Sequence, residues 1–261
     1  LGGGSNLHVL ITNDDGYTAP GLLALKQAVE KVADKVSVVA PDRNWSISGH
    51  SKTMDRPLRA SEMRLQDGSP VIVTDGSPSD CVALAILGLV PGPIDVVVSG
   101  INPSANLAQD ITYSGTVSAA FEGVLSGIPS LAVSVAATGN PIYQVAADFA
   151  AHLVRLVHQH GLPPGTLLNI NVPNVPKHAV AGVAVTRLGR RIYRDRLIER
   201  KDPFGRSYYW IGGDAPTGHL EEGTDIAAIE RNLISVTPVQ LDLTNYGFLE
   251  QLKNWNLSWP G

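Results

Sequence analysis

A short apolar run, Leu7 to Thr12, breaks off into Asn13-Asp14-Asp15-Gly16 near the start of the chain. The run is partly β-branched and bounded by a turn signal, which predicts a buried strand. Gly16 permits a sharp exit, and residues 20–32 read as a helix. Strand, polar turn and helix make the first half of a βαβ unit. In open α/β sheets, ligands sit beyond the carboxyl ends of such strands, where Asp14 and Asp15 would lie. Adjacent carboxylates repel each other unless a cation or a proton stands between them, which points to a metal site. The same residue types suit an Asx turn capping the helix. At this point both readings stand.

The following segments repeat the pattern. Residues 35–40 read as a second strand, and 41–51 as a polar loop on the same sheet edge. Residues 52–74 alternate around Asp67-Gly68, a hairpin signal, so a small antiparallel excursion is expected, ending in a strand at 71–74. Ser77 or Ser79 begins an apolar helix to about Leu87, stopped by Pro91-Gly92-Pro93. Residues 94–100 form another buried-strand pattern followed by a polar turn, 101–107. Tyr113 to Ala120 opens a helix rich in small residues, with Ser114 or Thr116 as the cap. Free N–H groups at such a start bind anions; a plain capped helix packed tightly on the sheet is the reading this segment favours when taken alone. A strand at 130–135, an amphipathic helix at 142–160 and strands at 167–172 and 180–186 complete a doubly wound, mostly parallel α/β sheet with helices on both faces. His152, His158 and His160 fall on the long helix without ligand spacing and read as solvated or capping side chains.

The texture changes at Arg187. Residues 187–212 alternate, are rich in Arg, and carry Asp202-Pro203-Phe204-Gly205 in the middle, which predicts a long β-hairpin. A two-stranded hairpin is not stable alone, so Tyr208, Tyr209 and Trp210 are expected to pack on another subunit or on the main domain. Residues 223–238 return to the core, with a strand at 233–237. The tail from Phe248, with Trp255 and Trp259, reads as a helix docking on the surface. The expected division is 6–186 for the catalytic domain, 187–222 for the hairpin extension, and 223–261 for the return and tail. Leu1-Gly2-Gly3-Gly4-Ser5 looks like a flexible remnant outside the fold.

Composition narrows the class. A chain of 261 residues, 44% hydrophobic, can bury a sizeable core, so wholesale disorder is not expected. A net charge of −4 gives no support to a general nucleic-acid surface. Cys81 is the single cysteine, so no intramolecular disulfide forms, and its apolar setting reads as a packed thiol. No apolar run reaches membrane-span length and no signal-peptide pattern opens the chain; a cytoplasmic protein with no membrane partner is expected.

Three strand-end turns then supply Asn13, Asp14 and Asp15; Asn44 and Ser46; Asn102 and Asn106. A helix start adds Ser114, Gly115 and Thr116. All of these donors are oxygens or amides, with no Cys/His set at zinc spacing. Hard oxygen ligands select Mg²⁺ or Mn²⁺, and such a site suits a phosphate ester.

The set TNDDG-x3-PG (12–21), APDRN-x-S (40–46), SGIN-x3-N (99–106) and YSGTV-x-AA (113–120), with GTD (223–225) and SVTP (235–238), resembles the SurE family of survival-protein nucleotidases. The resemblance runs from residue 7 to about 245. It implies a Rossmann-like fold whose C-terminal part protrudes and builds dimers or tetramers. It implies a metal-dependent phosphatase acting on nucleoside 5′- and 3′-monophosphates, with some activity on short polyphosphate and one Mg²⁺ or Mn²⁺ per subunit. Carried over by motif, the metal ligands are Asp14, Asp15, Ser46 and Asn102. Asn13 joins Asp14, Asp15 and Asn102 in the catalytic set, and Asn44, Asn106, Ser114, Gly115 and Thr116 lie on the phosphate side. Trp45, a bulky neighbour of Ser46, reads as stacking on a base or packing on its loop. The adjacent Asp14 and Asp15 disfavour the D-x-D arrangement of haloacid dehalogenase-type phosphatases and their covalent aspartyl-phosphate. A non-catalytic nucleotide-binding regulator is the alternative class; no G-x-G-x-x-G supports a dinucleotide site.

Overall fold

The computed structural model describes residues 6–47, 49–255 and 257–259. The expected remnant at 1–5 and Ser48 of the polar loop lie outside them. Eleven strands and six α-helices are described: β1 (His8–Thr12), α1 (Pro20–Val29), β2 (Lys35–Pro41), β3 (Ala60–Arg64), β4 (Pro70–Thr74), α2 (Pro78–Leu84), β5 (Val96–Asn102), α3 (Gly115–Leu125), β6 (Ser130–Ala136), α4 (Tyr143–His160), β7 (Thr166–Pro173), β8 (Gly182–Val185), β9 (Arg191–Lys201), β10 (Ser207–Gly218), α5 (Asp225–Glu230), β11 (Leu233–Gln240) and α6 (Tyr246–Lys253).

Nine strands form one sheet in the order β3-β4-β2-β1-β5-β6-β7-β11-β8. From β4 to β7 all neighbours are parallel; β3 and β11 add antiparallel pairings at either side. Every residue of β1 is buried, as expected of a strand covered on both faces, and this is why its middle, Val9-Leu10-Ile11, is apolar without a break. On one face α1 packs against α4, and on the other α2 packs against α3. The α/β, doubly wound, mostly parallel sheet read from the sequence is the observed fold. Among the described residues, no helix is long and apolar enough to cross a membrane.

The order of pairing decides where a ligand can sit. From β1 the chain moves outward to β2 and β4, then returns to β5 on the other flank of β1. The connections therefore diverge between β1 and β5, leaving a crevice at their carboxyl ends. Asp14 and Asp15 follow β1, and Asn102 ends β5.

Local signals chose the boundaries. Pro20 stands at the start of α1, where its missing N–H costs nothing. Ser77, not Ser79, caps α2: its hydroxyl accepts from Asp80 N while the Asp80 carboxylate accepts from Ser77 N. Beyond Leu84 the helix loosens into a wide turn, 85–89, kinked at Gly88 with φ 119°. Ser114, not Thr116, caps α3 by accepting from Val117 N at 3.1 Å. Cys81 is fully buried, and burial pushes its thiol pKa up, as a packed core thiol requires. His152, His158 and His160 are exposed on α4.

Three details differ from expectation. The short helix α5 follows Thr224, whose hydroxyl caps it at Ala227 N; too few residues repeat there for periodicity to reveal it. The hairpin β9–β10 reaches Gly218 rather than 212: its register shifts between Asp214 and Thr217, and pairing resumes beyond the shift with Thr217 against Ile192 and Gly218 against Arg191. The tail forms α6, but no residue of that helix is fully buried and only Leu252 is half-buried, so it packs more lightly than a docked helix was expected to.

Candidate active site

Asn13 is fully buried and its amide donates to Gly16 O at 2.9 Å, closing the turn that carries the two carboxylates. Gly16, at φ 97°, makes the exit that a side chain would strain. Asp14 is 4% exposed. Thr116 Oγ1 donates to Asp14 Oδ1 at 2.6 Å, and the Thr116 backbone N–H donates to the same carboxylate. Burial raises the Asp14 pKa above the ordinary carboxylate value despite these donors. Asp15 stands closer to solvent, yet burial first and the neighbouring Asp14 charge second push its pKa to about 7. Its Oδ2 atom is buried without a hydrogen-bond partner.

The loop after β2 closes over this pair. Trp45 N donates to Asp14 O at 2.7 Å, anchoring the loop to the β1 turn. Asn44 Oδ1 accepts from Ser46 N at 2.7 Å and from Ser46 Oγ at 2.5 Å, while its amide reaches Asp15 Oδ1 at 3.4 Å. The Arg43 guanidinium stacks over the Trp45 ring at 4.9 Å, which places Trp45 in the packing of its own loop. After β5, the Asn102 amide donates to Ser104 O at 2.5 Å. Asn106 is anchored from behind: its N–H donates to Asn171 Oδ1, its carbonyl accepts from Asn169 and Asn171, and its amide donates to Ser134 Oγ, all at 2.8–2.9 Å.

These segments wall an open cleft of about 490 Å³, lined by Asp14, Asp15, Asn44, Ser46, Ile47, Asn102, Pro103, Ser104, Asn106, Asp110, Tyr113, Ser114 and Pro216. Of the ten residues expected at the site, Asp14, Asp15, Ser46, Asn102, Asn44, Asn106 and Ser114 meet there. Asn13, Gly115 and Thr116 stand behind the wall instead. The start of α3 was expected to offer free N–H groups to an anion; the structure directs Thr116 onto Asp14. The reason is proximity: a Cβ added at Gly115 would lie 2.7 Å from Asp14 Cβ and 2.9 Å from its Oδ2, so helix and carboxylate are already in contact.

Asp110, Tyr113, Ile47 and Pro216 line the cleft without having been assigned a role from sequence. Tyr113 lay inside a recognised motif, and Asp110 followed a polar turn. Pro216 carried no local signal, because it reaches the cleft from the hairpin. The GTD motif has a structural part: Asp225, fully buried, accepts from Ala108 N and Gly189 N at 2.7 Å and from Ile226 N at 2.8 Å. In SVTP, the buried Ser235 and Thr237 hydroxyls each lie 2.7 Å from Thr186 Oγ1.

Among the described residues no three His, Cys, Asp or Glu side chains cluster as a metal set. A cation would need Asp14 and Asp15 together with neutral oxygens of Ser46 and Asn102. The partnerless buried oxygen of Asp15 and this all-oxygen donor set fit a hard divalent ion.

Comparison with known proteins gives a consistent answer. The family model described as survival protein SurE matches residues 9–195. A "5′-nucleotidase SurE" of Chloroflexus aggregans is 53% identical over 95% of this chain and 99% of its own length. One of Geobacter metallireducens is 50% identical over 97% of this chain and 98% of its own. The crystal structure of the SurE protein from Aquifex aeolicus superposes with a TM-score of 0.81 at 40% identity, over 94% of this chain and 98% of that one.

Proposed function

The chain belongs to the SurE family, and we propose from that premise that it is a 5′-nucleotidase dependent on one Mg²⁺ or Mn²⁺ per subunit. Its substrates are nucleoside 5′- and 3′-monophosphates, with short polyphosphate as a further one, and its products from nucleotides are nucleoside and phosphate. The observation that carries the reading is the carboxylate pair at the β1–β5 divergence, with a buried Asp15 oxygen that no protein donor meets. Two raised carboxylate pKa values side by side are the electrostatic signature of a site that a cation completes.

In this reading Asp14, Asp15, Ser46 and Asn102 hold the cation. When bound, it neutralises phosphoryl oxygens and acidifies water. Thr116 fixes the Asp14 carboxylate. Asn44, Asn106 and Ser114 face the phosphate across the cleft, and Asn13 keeps the turn in shape. Gly115 leaves room for Asp14 to sit against α3.

Homodimer or homotetramer assembly is part of the proposal. The hairpin carries exposed Leu197, Trp210 and Ile211, and α6 has no fully buried residue; apolar surface of this kind is normally covered by a partner. Phosphate release from AMP, 3′-AMP, p-nitrophenyl phosphate and tripolyphosphate, with Mn²⁺ or Mg²⁺ and after chelation, tests the activity. Metal-independent turnover, or none at all, would refute it.

A further inference from the structure

The cleft that holds the carboxylate pair is also lined by Asp110 and Tyr113, and the hairpin holds that part of its wall in place. Residues 108–110 are fastened one after another to the hairpin base. Asp225 joins Ala108 N to Gly189 N. Gln109 Oε1 accepts from Arg191 N at 2.9 Å, and its amide reaches Gly189 O at 3.4 Å. Asp110 Oδ2 accepts from Arg191 Nε at 2.8 Å, and Asp110 Oδ1 accepts from Tyr193 OH at 2.6 Å. Returning along β10, the hairpin brings Pro216 to the same cleft within its irregular stretch, where a residue without an N–H is tolerated.

Asp110 is thus a carboxylate in the cleft whose direction is set from behind by two donors. An ionised carboxylate has about four acceptor positions, and these two bonds use one on each oxygen. One acceptor position on each oxygen is left over. Two acceptors a carboxylate's width apart match two neighbouring hydroxyls, as a cis diol presents them; carboxylates read ribose hydroxyls in this way elsewhere. Tyr113, 59% exposed at the same wall, adds an aromatic face.

Resting on the nucleotidase reading, we propose that Asp110 binds the ribose 2′- and 3′-hydroxyls of a nucleoside 5′-monophosphate, and that Arg191 and Tyr193 of the hairpin are the positioning residues that aim it. The nucleoside is then recognised by a wall belonging to the hairpin as much as to the sheet. Selectivity for nucleotides over simple monoesters arises there, away from the carboxylate pair.

The test uses the full-length protein with Mn²⁺ and three substrates: AMP, 2′-deoxy-AMP and p-nitrophenyl phosphate. Wild type should favour AMP over 2′-deoxy-AMP. Asp110→Asn should cut kcat/KM for AMP by about tenfold or more, chiefly through KM, and lower the other two substrates by less, so that the AMP to deoxy-AMP ratio falls. Tyr193→Phe, which removes one aiming bond and little volume, should move the same ratio in the same direction by a smaller factor, and it carries the test alone if Asp110→Asn does not fold. Equal losses on all three substrates, or an unchanged ratio in Tyr193→Phe, would overturn the assignment while leaving the nucleotidase reading intact. A wild-type protein that turns over none of the three would overturn both.

Discussion

Thr116 Oγ1 donates to Asp14 Oδ1 at 2.6 Å, joining the turn after β1 to the first turn of α3 across 102 residues of sequence. Asp14 is almost fully buried, so this bond sets where its charge points. Thr116→Val removes the hydroxyl at nearly constant volume. A hydrogen bond to a charged group is worth about 1.5–3 kcal/mol, so Mn²⁺ affinity measured by calorimetry should fall about tenfold or more, with a parallel loss of activity. Unaltered affinity and kcat would mean that Asp14 is positioned by something else.

Gly115 tests the same contact from the other side. An alanine Cβ there would stand 2.7 Å from Asp14 Cβ, too close without movement. Gly115→Ala should therefore displace the carboxylate. The expected result is a folded protein, destabilised by about 1–3 kcal/mol as overpacking usually costs, with activity reduced by roughly 10²-fold, as happens when reacting groups are misplaced. Full activity would show that the turn can yield without disturbing the site.

The carboxylate pair predicts a pH dependence in the metal-free protein. The folded-state pKa of Asp15 is raised to about 7 from 3.8. A raised carboxylate contributes stability that is complete below its unfolded pKa and lost as pH rises through the folded one. In chelator, Tm should fall between about pH 4 and pH 7, and Asp15→Asn should flatten that slope. Mn²⁺ should reverse the trend, because binding to the native state adds stability and requires the deprotonated ligand. A wild-type slope identical to that of the variant would refute the assignment.

Asp14→Asn separates a metal ligand from a turn residue. Neutralising one member of a repelling pair should leave the chelated protein as stable as wild type or slightly more so. Activity should drop by roughly 10²-fold or more, and the Mn²⁺-induced rise in Tm should shrink. A purely turn-capping Asp14 gives the opposite pattern: apo destabilisation of about 1 kcal/mol, with metal response and activity intact.

The outer hairpin should carry assembly. Its exposed Leu197, Trp210 and Ile211 lie beyond the base that touches the cleft. Replacing residues 195–213 by a short Gly-Ser link keeps Arg191, Tyr193 and Pro216 and removes that surface. Light scattering should report a folded species of lower mass; an unchanged mass would place the interface elsewhere.

The sequence by itself determined the strands, most helices and the polar strand ends. β1, β2 and β5 are dominated by apolar residues because a parallel sheet is covered on both faces, and each apolar stretch stops where the chain must leave the core. That local contrast made Asp14, Asp15, Asn44, Ser46, Asn102 and Asn106 legible as one sheet edge. Capping was legible as a pair of alternatives, and the structure chose Ser114 and Ser77 because their hydroxyls reach the N–H three residues on. What only the tertiary structure decided depends on residues far apart in the chain. Thr116 serves Asp14 because the order of strands lays α3 beside the β1 turn. Asn106 is held in place because Asn169 and Asn171 of β7 donate to its carbonyl. Asp110 and Pro216 share a cleft because a buried Asp225 fastens the hairpin base to the loop after β5. Periodicity and capping are local properties of the chain. Those contacts span 36 to 117 residues, and the pairing order of the folded sheet brings their partners together.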